Sequence, residues 1–190
     1  IFRKVKAALD TETNTPPEVM NTVQLEILQN KISELGYKPH HDIFIGIKPE
    51  LRQIANGEFL CNDMVENATQ DQIIEYFKEI QTLYAPLITE NPFIHHTFSP
   101  YGTLQKEIGE QSIITLNTDI INSPHKCKHF ASLMPGSMLA LCPPSIKTVS
   151  HCIELIELSR ENDLKIMMDT SGLNDSVVLL TVAQAFACDF

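Results

Sequence analysis

Five short apolar runs in this 190-residue chain each end on a residue that could do chemistry. In Leu87-Ile88-Thr89-Glu90-Asn91-Pro92-Phe93 a hydrophobic run closes on an acid and then a proline, which delivers a carboxylate to the mouth of a sheet. That mouth is where α/β enzymes hold metals and substrates. On the same logic Ile43–Ile47 delivers Lys48, Ile113–Leu116 delivers Asn117, Met138–Leu141 delivers Cys142 and Ile166–Met168 delivers Asp169. Of these ends Glu90 and Asp169 are carboxylates. The others are an ammonium, an amide and a thiol.

Other constellations carry less chemistry. His125 and His129 have the i, i+4 spacing of a helical metal pair, with Cys127 between them. Lys126 and Lys128 interleave, however, and no third ligand is in sequence reach. His40-His41 and His95-His96 fall at loop positions beside strands and are expected to be hydrogen-bonded or solvated imidazoles. Glu154, Glu157 and Glu161 share one flank of a helix, a solvated face. The cysteines at 61, 127, 142, 152 and 188 show no Cys-x-x-Cys pair, which fits buried, unbridged thiols in a reducing compartment.

The elements that must position the strand ends alternate along the chain. An amphipathic helix opens at Pro16-Pro17-Glu18 and runs to about Leu35, with Val19, Val23, Leu25, Ile27, Leu28, Ile32 and Leu35 near helical spacing and Gly36 as its stop. A strand follows at Asp42 to Ile47, and Asn56-Gly57 marks an excursion or hairpin. Thr69-Gln70-Asp71-Gln72 caps a helix whose apolar face is Ile73, Ile74, Phe77, Ile80, Leu83 and Tyr84. After the strand from Leu87 to Thr89 come a helix around Tyr101–Glu110, a strand at Ser112–Leu116, a helix from Ser123-Pro124 to Pro135-Gly136 and a strand at Met138–Leu141. A helix from Ser145 to Asn162 follows, bearing Val149, Cys152, Ile153, Leu155, Ile156 and Leu158, then a strand at Lys165–Asp169 and a last helix over about Asp175–Cys188. Short apolar strands separated by helices are the signature of parallel βαβ units, so the fold class is α/β. Periodicity leaves open a doubly wound sheet or a (β/α)8 barrel. Five strands would leave such a barrel three short of closure.

Composition bounds the function classes. The chain is 43% apolar and 20% charged, ordinary for a packed domain. A net charge of −10 and a pI of about 5.1 argue against a nucleic-acid groove or a surface for anionic membranes, both of which need clustered cations. No run approaches the roughly 18 to 20 apolar residues of a membrane span, and no charged-then-apolar leader opens the chain. Ile1 at the start and Phe190 directly after an apolar helix pattern read as parts of something longer.

Several of these segments resemble the enolase family. Ile45-Gly46-Ile47-Lys48 is similar to the family's Ile-Gly-Met-Asp, and Leu87 to Phe93 to its Val-Ser-Ile-Glu-Asp-Pro-Phe. Ser112 to Pro124 resembles Gly-Asp-Asp-Leu-Thr-Val-Thr-Asn-Pro, Leu139 to Ser150 resembles Leu-Leu-Leu-Lys-Val-Asn-Gln-Ile-Gly-Ser-Val-Thr, and Met168 to Asp175 is similar to Ser-His-Arg-Ser-Gly-Glu-Thr-Glu. Order and spacing agree from about Leu25 to Phe190. The resemblance implies an enolase-type (β/α)8 TIM barrel, incomplete in this chain. Residues 1–190 would form part of the C-terminal barrel domain, with the N-terminal capping domain and last barrel strands outside it.

Enolases dehydrate 2-phosphoglycerate to phosphoenolpyruvate, drawing a poorly acidic proton from beside a carboxylate with a lysine base and magnesium. Carried over position by position, the resemblance implies that Lys48 replaces the first metal-binding acid, Glu90 retains the second and Asn117 replaces the third. Asp119 could substitute only with a two-residue slip, which moves the group about 7 Å. The proton-abstracting lysine falls on Cys142, a poor replacement with shorter reach and a pKa about two units lower. The family's His-Arg-Ser becomes Asp169-Thr170-Ser171, which leaves Ser171 as a candidate substrate contact and opposes a trianionic substrate. The acidic family loop falls near Asp10–Asn14.

Lys48 could neutralise Glu90 as an ion pair in place of a metal, and this structural role is the favoured reading. A repurposed site of Glu90, Asp169 and Cys142 would need Lys48 as the cation that lowers a thiolate's pKa. A sensor of phosphorylated ligands would need a basic pocket, whereas these ends are acidic or neutral apart from Lys48. The expectation is a catalytically degenerate enolase-like module with no cofactor, held by protein partners in a larger cytoplasmic assembly. It resembles the divergent enolases of cilia and sperm flagella, which implies axonemal partners, and family enolases are dimers. The alternative is a residual, magnesium-dependent enolase.

Overall fold

The computed structural model describes residues 21–49, 51–54, 57–64, 66–93, 99–117, 121, 123–142, 146, 148–169, 181 and 183–189. The chain divides into two compact units, Ile1–Thr89 and Glu90–Phe190.

In the first unit α1 (Asn21–Glu34) buries Leu25 and Ile32, while Val23 and Leu35 are exposed. Gly36, at φ 83°, ends it as expected, and the Tyr37 N–H reaches back to the Ile32 carbonyl at 3.1 Å. The strand expected from Asp42 is shorter: β1 is Gly46–Ile47. The polar residues before it close a turn instead, since the Asp42 carboxylate accepts from the Lys38 N–H at 2.8 Å and the His40 N–H donates to the Ile43 carbonyl at 2.9 Å. The expected excursion is an antiparallel hairpin of β2 (Leu51–Gln53) and β3 (Phe59–Cys61), with Gly57 at φ 81° in its loop.

Helix α2 (Gln70–Tyr84) opens on the expected cap. The Thr69 hydroxyl accepts from the Gln72 N–H at 3.3 Å, and the Thr69 N–H donates to the Gln72 side chain at 2.8 Å. Ile73, Ile74, Phe77 and Ile80 are buried as expected. Leu83 is 66% exposed, and Tyr76 and Gln81 lie inside instead. At roughly 100° per residue Leu83 falls just outside the arc that runs from Tyr76 through Phe77 to Ile74. Strand β4 (Ile88–Glu90) pairs parallel with β1, Gly46 beside Ile88.

In the second unit α3 (Ser99–Ile108) precedes β5 (Ile113–Asn117), α4 (Pro124–Leu133) precedes β6 (Met138–Leu141), and α5 (Val149–Glu161) precedes β7 (Lys165–Met168). Ser123 caps α4 with Pro124 in its first turn, as the sequence predicts. Helix α5 starts later than expected because the Thr148 hydroxyl accepts from the His151 N–H at 3.1 Å. Val149 is therefore a first-turn residue and 59% exposed, while Cys152, Leu155 and Ile156 carry the buried face. Of the last expected helix, residues 181 and 183–185 are helical and residues 175–180 lie outside the described set.

Strands β1, β4, β5, β6 and β7 are parallel and hydrogen-bonded in chain order. A doubly wound sheet reverses its strand order at a switch point, and this sheet shows no reversal. The order is consistent with successive strands of a partial (β/α) barrel, and among the described residues the sheet does not close. All four residues of β6 are buried, so the middle of the second unit is covered on both faces. No helix among the described residues is long and apolar enough to cross a membrane.

Candidate functional site

The strand ends of the second unit form its candidate site, and each is held by a traceable local device. Glu90 closes β4 and is half-buried. The next residue, Asn91, takes φ 47°, and its N–H donates to the Thr115 carbonyl at 2.8 Å, which fixes the end of β4 beside β5. Phe93 is fully buried, and its carbonyl accepts from the hydroxyl of Tyr101 in α3. The two rings meet edge to face at 5.3 Å. Burial pushes the Tyr101 phenol far above its ordinary range, opposed by the bond to the Phe93 carbonyl, so it acts as a neutral donor.

Asn117 ends β5, with Ala140 as its Cα partner across to β6. Two residues earlier Thr115 is fully buried, and among the described residues its hydroxyl has no hydrogen-bond partner. Cys142 follows β6 and is 5% exposed. Its thiol donates to Oδ2 of Asp169 at 3.4 Å, and the Asp169 N–H donates to the Leu141 carbonyl at 3.1 Å. The structure thus joins two members of the repurposed set, Cys142 and Asp169.

Lys48 belongs to the first unit and follows Ile47 at the end of β1, where it is exposed. Ser171, Thr170, Asp119, His95, His96 and the segment Asp10–Asn14 lie outside the described residues. Magnesium takes hard oxygen ligands in near-ideal octahedral geometry. Among the described residues no group of three or more His, Cys, Asp or Glu side chains is placed to hold a metal ion.

His125 and His129 are exposed on α4, whereas Cys127 is buried and turns its sulfur to the Ser159 hydroxyl at 4.0 Å, so these three do not converge. His41 meets the Asp42 carboxylate at 2.9 Å, and His40 Nε2 meets the Gln29 side-chain amide at 3.0 Å. Both imidazoles are thus hydrogen-bonded as expected, and among the described residues the buried Nδ1 of His40 has no partner. The Lys38 backbone N–H, and then His41, hold the Asp42 carboxyl below its usual range. Glu154, Glu157 and Glu161 are exposed, as a solvated flank should be. None of the five cysteines forms a disulfide, and burial pushes the thiols of Cys61, Cys127, Cys152 and Cys188 up.

Tyr101 and Thr115 were not flagged by their sequence context. Tyr101 could have been found from its place in the first turn of a helix that follows the Asn91-Pro92-Phe93 bend. Thr115 is the lone hydroxyl inside an apolar strand.

No protein-family model matches the chain. Among curated proteins, the enolase of Methanopyrus kandleri is 22% identical over 180 residues, covering 90% of this chain and 41% of the relative. The enolase of Sulfolobus acidocaldarius is 22% identical over 195 residues (100% and 45%), and that of Sulfurisphaera tokodaii 23% over 191 residues (100% and 45%). The chain spans less than half the length of these relatives.

Proposed function

We propose that this chain, which is a distant relative of the enolases, is part of a C-terminal barrel domain whose catalytic set has been dismantled while its core has been kept. The observation that carries this reading is the pairing of Cys142 with Asp169. Cys142 stands where the family's base should be, and its proton is committed to a neighbouring carboxylate. Abstraction of a weakly acidic proton needs a base with reach and a site that neutralises the resulting anion. A short thiol beside Asp169 supplies neither.

The two other replacements point the same way. Lys48 and Asn117 stand where the resemblance places metal-binding acids, and Glu90 alone retains its type. Magnesium, when bound in a family site, neutralises the dianionic intermediate, and this donor set is unsuited to it. The packed second unit, with β6 buried throughout, retains what a scaffold needs.

In this reading the domain serves as a structural or interaction module, self-associated or held by protein partners in a cytoplasmic assembly. The finer setting, an axonemal one, rests on analogy with divergent ciliary members of the family and on no particular residue of this chain. A residual enolase is the competing function. Formation of phosphoenolpyruvate from 2-phosphoglycerate separates the two: magnesium-dependent turnover that disappears in Glu90→Gln supports the enzyme, and its absence beside an active enolase supports the module.

A further inference from the structure

We draw no further inference here: the strongest candidate, the groove of about 340 Å³ along α2 lined by Met64, Asp71, Gln72, Glu75, Tyr76 and Glu79, rests on an acidic cluster with no second observation pointing to a ligand.

Discussion

The Cys142 thiol donates to the Asp169 carboxylate at 3.4 Å, which ties the residue that follows β6 to the residue that follows β7. The two lie 27 positions apart and meet because β6 and β7 run in parallel register, Leu141 beside Met168. A thiolate at this place would face a negative oxygen.

That contact sets the reactivity of Cys142. Alkylation of the folded protein by iodoacetamide, read by peptide mass spectrometry, should be slow at Cys142 compared with the unfolded chain. Asp169→Asn removes the opposing charge and should speed it by up to about tenfold, the scale of one unit-charge contact in water. An unchanged or slower rate in the variant would show that Asp169 does not restrain the sulfur.

Tyr101 should matter to stability through its hydroxyl as well as its ring. Tyr101→Phe leaves the buried Phe93 carbonyl without this donor and should cost about 1–3 kcal/mol in urea denaturation. Tyr101→Ala adds a cavity and should cost about 3–5 kcal/mol. A Tyr101→Phe variant as stable as the parent would mean that the hydroxyl bond contributes nothing.

The same phenol predicts a weakening in alkali. Its pKa is raised in the folded state, so the unfolded chain releases this proton first, near pH 10. Stability is therefore complete below pH 10 and falls above it, by at most about 1.4 kcal/mol per pH unit for each such group. Tyr76 is raised in the same direction, chiefly by burial, and adds to the slope. Thermal melts between pH 9 and 11 should show a shallower decline in Tyr101→Phe. Parallel curves would remove Tyr101 from the explanation.

Much of this was legible in the residues, and what was not has local causes. The ends of β6 coincide with Met138 and Leu141 because an apolar run is bounded there by Gly136 and by Pro143-Pro144. Strand β1 begins later than the apolar pattern predicts because Asp42 bonds its own turn, a choice that period-two patterning does not register. Leu83 and Val149 show that an apolar residue at the edge of a helical arc, or in its first turn, need not be buried. Glu90 and Cys142 could be placed at strand ends from sequence. The contact of Cys142 with Asp169 could not, because it depends on tertiary register and on which way each side chain leaves its strand.

The cap of α2 offers an independent check on the first unit. Thr69→Ala removes the hydroxyl that accepts from Gln72 and should cost about 1 kcal/mol in the unfolding transition, with little change in its denaturant slope. Loss of more than about 3 kcal/mol would indicate a role for Thr69 beyond the cap.

The most direct test is turnover of 2-phosphoglycerate by the purified protein with excess magnesium, alongside an active enolase and the Glu90→Gln variant. The dismantled-site account predicts no phosphoenolpyruvate from either form and no heat of magnesium binding. Magnesium-dependent turnover in the parent that vanishes in Glu90→Gln would contradict it and restore a working lyase at these strand ends.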